Sequence, residues 1–349
     1  MVDTIHRSGK IASSVFNQLI YPKLGAARTA VVAGPASGMD CGIVDVGLGQ
    51  VMAITTDPFF VERGLGWERA AWFGINIVAS DAATSGLVPS YLALDLNLPL
   101  DMSDRDLESL WTAVDRACRE IELAIVTGHT GRYEGCDFPM LGGATVIAIG
   151  AKEHYRTPAM ARAGEVVIVT KGAAIETAGM IGTSFPGWLA ARIGGDMAAR
   201  AEALFDSLSV VPDAGIARTM GGAVSAMHDA TERGVSGALV ELAEASGNGL
   251  VVDQQAIIVR PEVRAVCDAL SIDPYSSSSE GALVLSCLPR HAEELMSRLD
   301  DAGIAASVVG ELLPAEAGIK IQRHGREEDL VPPETDPFWP AYKRVQESL

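Results

Sequence analysis

The 349 residues carry 27 basic and 45 acidic side chains, a formal net charge of −18, and 48% of them are hydrophobic. Such a chain is long enough for two ordinary domains and too apolar for disorder, while its acidic balance argues against nucleic-acid binding. No apolar run approaches twenty residues, the stretch Met1–Arg7 lacks the apolar core of a signal peptide, and the five cysteines form no C-x-x-C pair, so a cytoplasmic protein with free thiols and no membrane span is expected.

In chain order, an amphipathic helix is expected over Ile11–Leu24, broken at Pro22. Strands follow at Gly42–Val46 and Val51–Thr55, joined by Gly47-Leu48-Gly49-Gln50, a hairpin-type connection. Trp67–Ser85 has helical period and is apolar on nearly every face, which predicts a buried helix. Ser90–Leu96 predicts a strand. Ser103, a good N-cap with Asp106 three residues on, opens a helix whose Leu107, Leu110, Trp111, Val114, Cys118 and Ile121 share one face. Ala124–Thr127 and Gly143–Gly150 predict two more strands.

The pattern restarts near Tyr155–Pro158, which divides the chain into residues 1–157 and 158–349. Glu165–Thr170 predicts a buried strand that opens into Lys171-Gly172 and a helix near Ile175–Ile181. Beyond it come a helix over Thr231–Ser246, a strand at Leu250–Val252 and a short helix over Pro261–Leu270. A strand at Ala282–Cys287 and a helix over Arg290–Asp301, ended by Gly303, complete the series. Hairpins mixed with βαβ-like alternation predict an α+β fold.

Aspartates interrupt these apolar runs. Asp57 follows Val51–Thr56, Asp40 sits in Gly38-Met39-Asp40-Cys41-Gly42, Asp81 lies in the nearly charge-free stretch Trp72–Leu94, and Asp229 follows Met227-His228. A carboxylate beside a buried element is costly unless it is paired or binds metal. Carboxylates and hydroxyls suit Mg²⁺, which shares its shell with substrate phosphates. Gly128 and Gly131, around His129 and Thr130, allow backbone amides to approach phosphate oxygens. Each residue also has a plainer reading. The aspartates also serve as caps and turn formers, and Asp229 would then cap the helix near Thr231. His129 is equally a loop histidine bonded to its own backbone, and His228 is read as structural. Lys171 is a phosphate contact at a helix N-terminus or a solvated loop lysine; Lys10, beside Gly9, is a lid over nucleotide or a tail lysine. Cys41 and Cys136 are the thiols placed to react, although small buried cysteine is the commoner fate.

Taken in order, six segments resemble the superfamily of aminoimidazole ribonucleotide synthase, whose other members include thiamine-monophosphate kinase, selenophosphate synthetase and the hydrogenase maturation factor HypE. They are Gly38–Val44, Thr56-Asp57, Ser80–Pro89, Thr127–Thr130, Met227–Gly234 and Ser279–Leu283, the fifth close to the HypE form. The resemblance spans roughly residues 8–325. It implies a PurM-like two-domain fold, in which an N-terminal mixed α/β domain forms a shared β-barrel in a homodimer and an α/β domain follows. It implies ATP and Mg²⁺ near the dimer interface, with Asp40, Asp57, Asp81 and Asp229 as metal ligands. Asp57, His129 and Asp229 take catalytic roles in this reading, and Lys10, Asp40, Thr56, Asp81, Gly128, Thr130 and Lys171 contact the nucleotide. HypE carries its substrate on a C-terminal cysteine, and no cysteine follows Cys287 here, so cyanide-ligand synthesis on such a thiol is not expected.

The activity expected is Mg²⁺- and ATP-dependent phosphoryl transfer that activates a carbonyl, carboxamide or phosphate oxygen of a small-molecule or protein-borne acceptor. A small-molecule kinase resembling thiamine-monophosphate kinase is one alternative. An ATP-binding maturation partner without independent turnover, docking through the acidic surface and the Val331–Pro337 tail, is the other.

Overall fold

The computed structural model describes Ile11 and residues 15–349, and two sheets organise it. Val31–Ala33 (β1), Gly42–Gly47 (β2), Gln50–Phe60 (β3), Pro89–Leu98 (β4), Ala124–Arg132 (β5) and Met140–Ala151 (β6) make the first, in the order β1-β2-β3-β6-β4-β5. Only the β4–β5 pair is parallel. Leu48 and Gly49 both have positive φ, which gives the β2–β3 hairpin the twist a two-residue turn needs.

Two helices cover one face of this sheet. Helix α1 (Gly66–Thr84) is buried over most of its length, as its all-round apolar sequence requires. Helix α2 (Asp104–Glu120) is capped by Ser103, whose Oγ accepts from Asp106 N at 3.1 Å, and it buries Leu110, Ala113, Val114, Ala117 and Cys118. Burial pushes the Cys118 thiol up to about 12, with the Asp115 charge adding to it.

The second sheet holds Val166–Thr170 (β7), Val224–Ala230 (β8), Gly249–Asp253 (β9), Ala282–Cys287 (β10), Ala306–Leu313 (β11), Ile319–Arg323 (β12) and Arg326–Asp329 (β13). Its order is β13-β12-β9-β11-β7-β10-β8, antiparallel except where β12 runs parallel to β9. Helices α3 (Ile175–Ser184), α4 (Pro186–Ile193), α5 (Gly195–Ala203), α6 (Val211–Thr219), α7 (Gly234–Ser246), α8 (Pro261–Leu270) and α9 (Pro289–Asp301) surround it, and α10 (Phe338–Glu347) closes the chain. Mixed sheets with helices on their faces make an α+β fold of the PurM-like type.

Three expectations need correction. The first helix is a single π-turn, Phe16–Ile20, with no buried residue; Lys10 lies outside the described residues. The presumed Gly128–Gly131 loop is strand, because β5 runs straight through it to Arg132. A Cβ on Gly128 would fall 2.1 Å from Leu94 O and one on Gly131 2.6 Å from Tyr133 Oη, so these glycines permit close packing inside the strand and against its neighbours. The helix expected from Thr231 starts at Gly234, after Arg233 in the left-handed conformation. Asp229 is therefore the penultimate residue of β8, and Arg233 holds the N-cap position of that helix.

Candidate functional site

The carboxylates converge where the two sheets meet. Asp40 lies just before β2, and its carboxylate reaches across to β8, with Oδ1 at 2.8 Å and Oδ2 at 3.0 Å from His228 Nδ1. The other ring nitrogen, Nε2, stands 2.9 Å from Glu241 Oε2 on α7, and Arg233 pairs with the second oxygen of Glu241. A histidine with a carboxylate at each nitrogen must donate from both. Burial works against the imidazolium, but Asp40 and Glu241 outweigh it and raise the His228 pKa well above its usual value. His228 is thus a buried cation that ties the two halves together.

Asp81 occupies the last turn but one of α1. Thr55 donates to its Oδ2 at 2.9 Å, while its backbone carbonyl accepts from Thr84 Oγ1 at 2.7 Å and from Cys41 Sγ at 3.0 Å. Asp57 follows on β3, two residues after Thr55 and on the same face. Glu280 precedes β10 with 3% of its surface exposed. Burial, then the charges of Asp229, Glu176, Asp81 and Asp57, push its carboxyl well above the ordinary range, and its Oε1 has no hydrogen-bond partner. Four carboxylates thus act on a fifth that is itself buried.

Donor atoms of Asp40, His228 and Asp229 lie within 4.8 Å of one another, a spacing that suits one cation. His228 offers no lone pair while both its nitrogens face carboxylates. The donors left are carboxylate oxygens of Asp40 and Asp229, with Asp57 and Asp81 acting on the same neighbourhood. An all-oxygen, anionic set fits Mg²⁺ and not zinc.

The other expected residues fall elsewhere. Thr56 points to the opposite face of β3 from Asp57, where it donates to Ala144 O at 3.1 Å; Thr55 is the hydroxyl that serves Asp81. His129 is exposed on β5 with Nε2 2.6 Å from Tyr133 Oη. In register, Asp57 pairs with Ala144, Ala144 with Leu94 and Leu94 with Gly128. That separates Gly128, His129 and Thr130 from Asp57 by three strand spacings, roughly 14 Å. Lys171 is buried, and its Nζ donates to Ser209 O at 2.6 Å, Asp213 Oδ2 at 2.7 Å and Gly281 O at 2.8 Å. All three of its donors are spent, so it is a structural anchor and not a phosphate contact. Cys41 is equally unsuited to attack, since burial followed by Asp81, Asp40 and Asp229 drives its thiol well above the usual value. Cys136 is half-buried between β5 and β6.

Sequence reading missed Thr55, Glu241, Arg233, Glu176 and the weight of Glu280. Only Glu280 carried a signal, in the Ser279-Glu280-Gly281 segment, where Gly281 has φ +93° and a Cβ would meet Ser207 O at 2.5 Å.

Two family models match, "AIR synthase related protein, N-terminal domain" over residues 38–151 and "AIR synthase related protein, C-terminal domain" over 162–321. The carbamoyl dehydratase HypE of Escherichia coli (strain K12) is 28% identical over 286 residues, covering 81% of this chain and 80% of its own. A crystal structure of HypE in complex with ATP superposes with a TM-score of 0.68 at 20% identity, over 95% of this chain and 97% of that one. A crystal structure of a HypE–HypF complex gives 0.68 at 20% identity, over 85% and 94%. With both models matched in sequence order over most of its length, the chain belongs to the AIR synthase-related protein family.

Proposed function

We propose that the chain is a Mg²⁺- and ATP-dependent phosphoryl-transfer enzyme of the HypE/PurM-like type, which activates a carbonyl, carboxamide or phosphate oxygen of its acceptor. The observation that carries this reading is the convergence of Asp57, Asp81 and Asp229 on buried Glu280, with Asp40 beside Asp229. The solved HypE–ATP complex supports the nucleotide, and the carboxylate donor set supports the metal. In this reading residues 1–157 bind nucleotide and residues 158–349 complete the site. The acceptor is a small molecule or a group borne on a protein, and the HypE–HypF complex supports a protein partner.

Asp40 and Asp229 would hold the cation, with Asp57 and Asp81 as further oxygen donors. When bound, Mg²⁺ neutralises triphosphate charge. The rest is positioning, which contributes most of the rate in phosphoryl transfer. The His228 imidazolium holds the Asp40 carboxylate in place from behind, Thr55 fixes one oxygen of Asp81, and Arg233 through Glu241 fixes His228. A homodimer follows from the outer face of the first sheet. There Val44, Met52 and Ile149 pair across β2, β3 and β6, and Ile54, Ile147 and Tyr91 across β3, β6 and β4. Joining these faces would bring β5 of one copy, with Gly128, His129 and Thr130, towards its partner.

Thermal unfolding with ATP, in Mg²⁺ and in chelator, tests the reading. Nucleotide at a hundred times its dissociation constant adds about 2.7 kcal/mol, a rise of several degrees at ~2–4 °C per kcal/mol. The rise is expected only with ATP and Mg²⁺ together, and Asp57→Ala should remove it and the Mg²⁺-dependent ATP turnover while leaving the fold intact. A rise in chelator, or full turnover in that variant, overturns the assignment.

A further inference from the structure

A cavity of about 150 Å³ opens where the end of α1, the segment between the sheets and the second sheet meet; Gly86, His154, Arg156, Arg218, Val224 and Met227 line it. Three of the nine residues around it, His154, Arg156 and Arg218, are of basic type in a chain of net charge −18.

Arg156 forms a fixed wall. Its Nε donates to Val224 O at 2.9 Å, and its Nη1 donates to Glu153 O at 3.0 Å and Tyr155 O at 2.8 Å. Those bonds hold the guanidinium rigid, satisfy it with neutral carbonyls and leave Nη2 free of them. Burial, then the nearby Arg162, lowers the Arg156 pKa. Neither Arg156, Arg162 nor Arg218 forms an ion pair among the described residues. Half-buried positive charge with a like charge beside it and no carboxylate to balance it is costly, and an anion removes the cost. Helix α6 ends at this cavity, but Met220 N already caps the carbonyls of Ala217 and Arg218, which reduces the negative pole there.

Size limits the occupant. A volume of about 150 Å³ suits a tetrahedral oxyanion together with a few waters. The free Nη2 of Arg156 and the Arg218 guanidinium, both lining the cavity, are donors that suit phosphate oxygens. We propose that this cavity is a second anion site that takes a small phosphate group, held between Arg156 and Arg218.

The site is built to report on the carboxylates. Met227 lies two residues before Asp229 on the same face of β8, about 7 Å along the strand. Gly86 follows the helix that carries Asp81, and a Cβ there would sit 2.8 Å from His154 O and 3.1 Å from Arg156 Cγ. Arg156 N also donates to Ser85 O at 2.7 Å. A bound phosphate therefore braces the end of α1 against β8 and α6.

The test is thermal unfolding in chelator without nucleotide, titrating inorganic phosphate or glycerol phosphate against sodium chloride of matched ionic strength. Phosphate is expected to raise the midpoint by roughly 2–4 °C. Arg218→Glu, at an exposed helix end, should abolish the rise, and Arg218→Lys should keep most of it. Asp57→Ala should keep all of it, which separates this site from the nucleotide site whether or not that site works as proposed. A larger rise with the ester identifies a phosphate borne on a metabolite, and an equal or smaller one identifies free phosphate; both support the site. No rise with either, an undiminished rise in Arg218→Glu, or loss of the rise in Asp57→Ala overturns it.

Discussion

Glu176 shows what a single buried carboxyl does to the molecule around it. Its Oε2 accepts from Ser278 Oγ at 2.5 Å and from Glu280 N at 3.0 Å, while burial outweighs these bonds and raises its pKa to about 7. The folded state thus keeps a proton that the unfolded chain releases near 4.5, so stability from this group is greatest at low pH and falls as pH rises between the two values. Glu176→Gln keeps both acceptor bonds and removes the ionisation. Urea titrations from pH 5 to 8 should show the variant gaining on the parent as pH rises, by on the order of 3 kcal/mol above pH 7. Equal pH slopes in the two proteins would contradict a protonated Glu176. Little of this was legible beforehand. The aspartates stood out because they interrupt apolar runs, whereas Glu176 and Glu241 lie on helices where a glutamate is unremarkable until tertiary contacts bury it. Thr55 and Thr56 are adjacent and chemically alike; only the pairing of β3 decides which one faces Asp81.

Among the elements, α10 and the turn before it do more than end the chain. Asp336 accepts from Arg233 N at 2.6 Å and Phe338 N at 2.7 Å, with 3% of its surface exposed. It thereby fixes the backbone of the residue that reaches Glu241 and, through it, His228 and Asp40. Tyr342, itself edge-on to Phe338, packs α10 against Phe185, and Tyr342 Oη donates to Ser184 Oγ at 3.0 Å. Asp336→Ala leaves two buried amides unsatisfied and should cost about 2–4 kcal/mol. Denaturant unfolding measures this, with exposed Lys343→Ala as the neutral comparison. The strands and helices with clear period, β2 to β4, α1, α2, α8 and α9, were readable from the sequence. The helix of α3 was readable near Ile175–Ile181, but the run from α4 to α6 was not, because its helices are short and follow one another closely, so no long stripe marks them. The Gly128–Gly131 stretch misled for the opposite reason: glycine there serves interstrand contact, and composition alone reads it as loop.

At the scale of the whole molecule, the outer face of the first sheet leaves apolar side chains uncovered among the described residues, with Val46, Val126 and Ile149 each 45–57% exposed. A face of this kind marks an interface. Light scattering should therefore find a dimer, and Ile149→Glu with Val126→Glu should convert it to a folded monomer; a parent that is already monomeric refutes the pairing. Within one copy, the contacts between the two halves run through residues that cannot be spared. Asp40 meets His228, Ser80 Oγ accepts from Val210 N at 3.0 Å, and Arg69 pairs with Glu202 at 2.9 Å. Neither sheet can then be kept as an independent part. Separated, one fragment would retain a buried imidazolium facing no Asp40 and the other an Asp40 facing no His228. Gene fission, domain shuffling and truncation are closed to such a chain, and it can diversify only at the periphery of a block inherited whole.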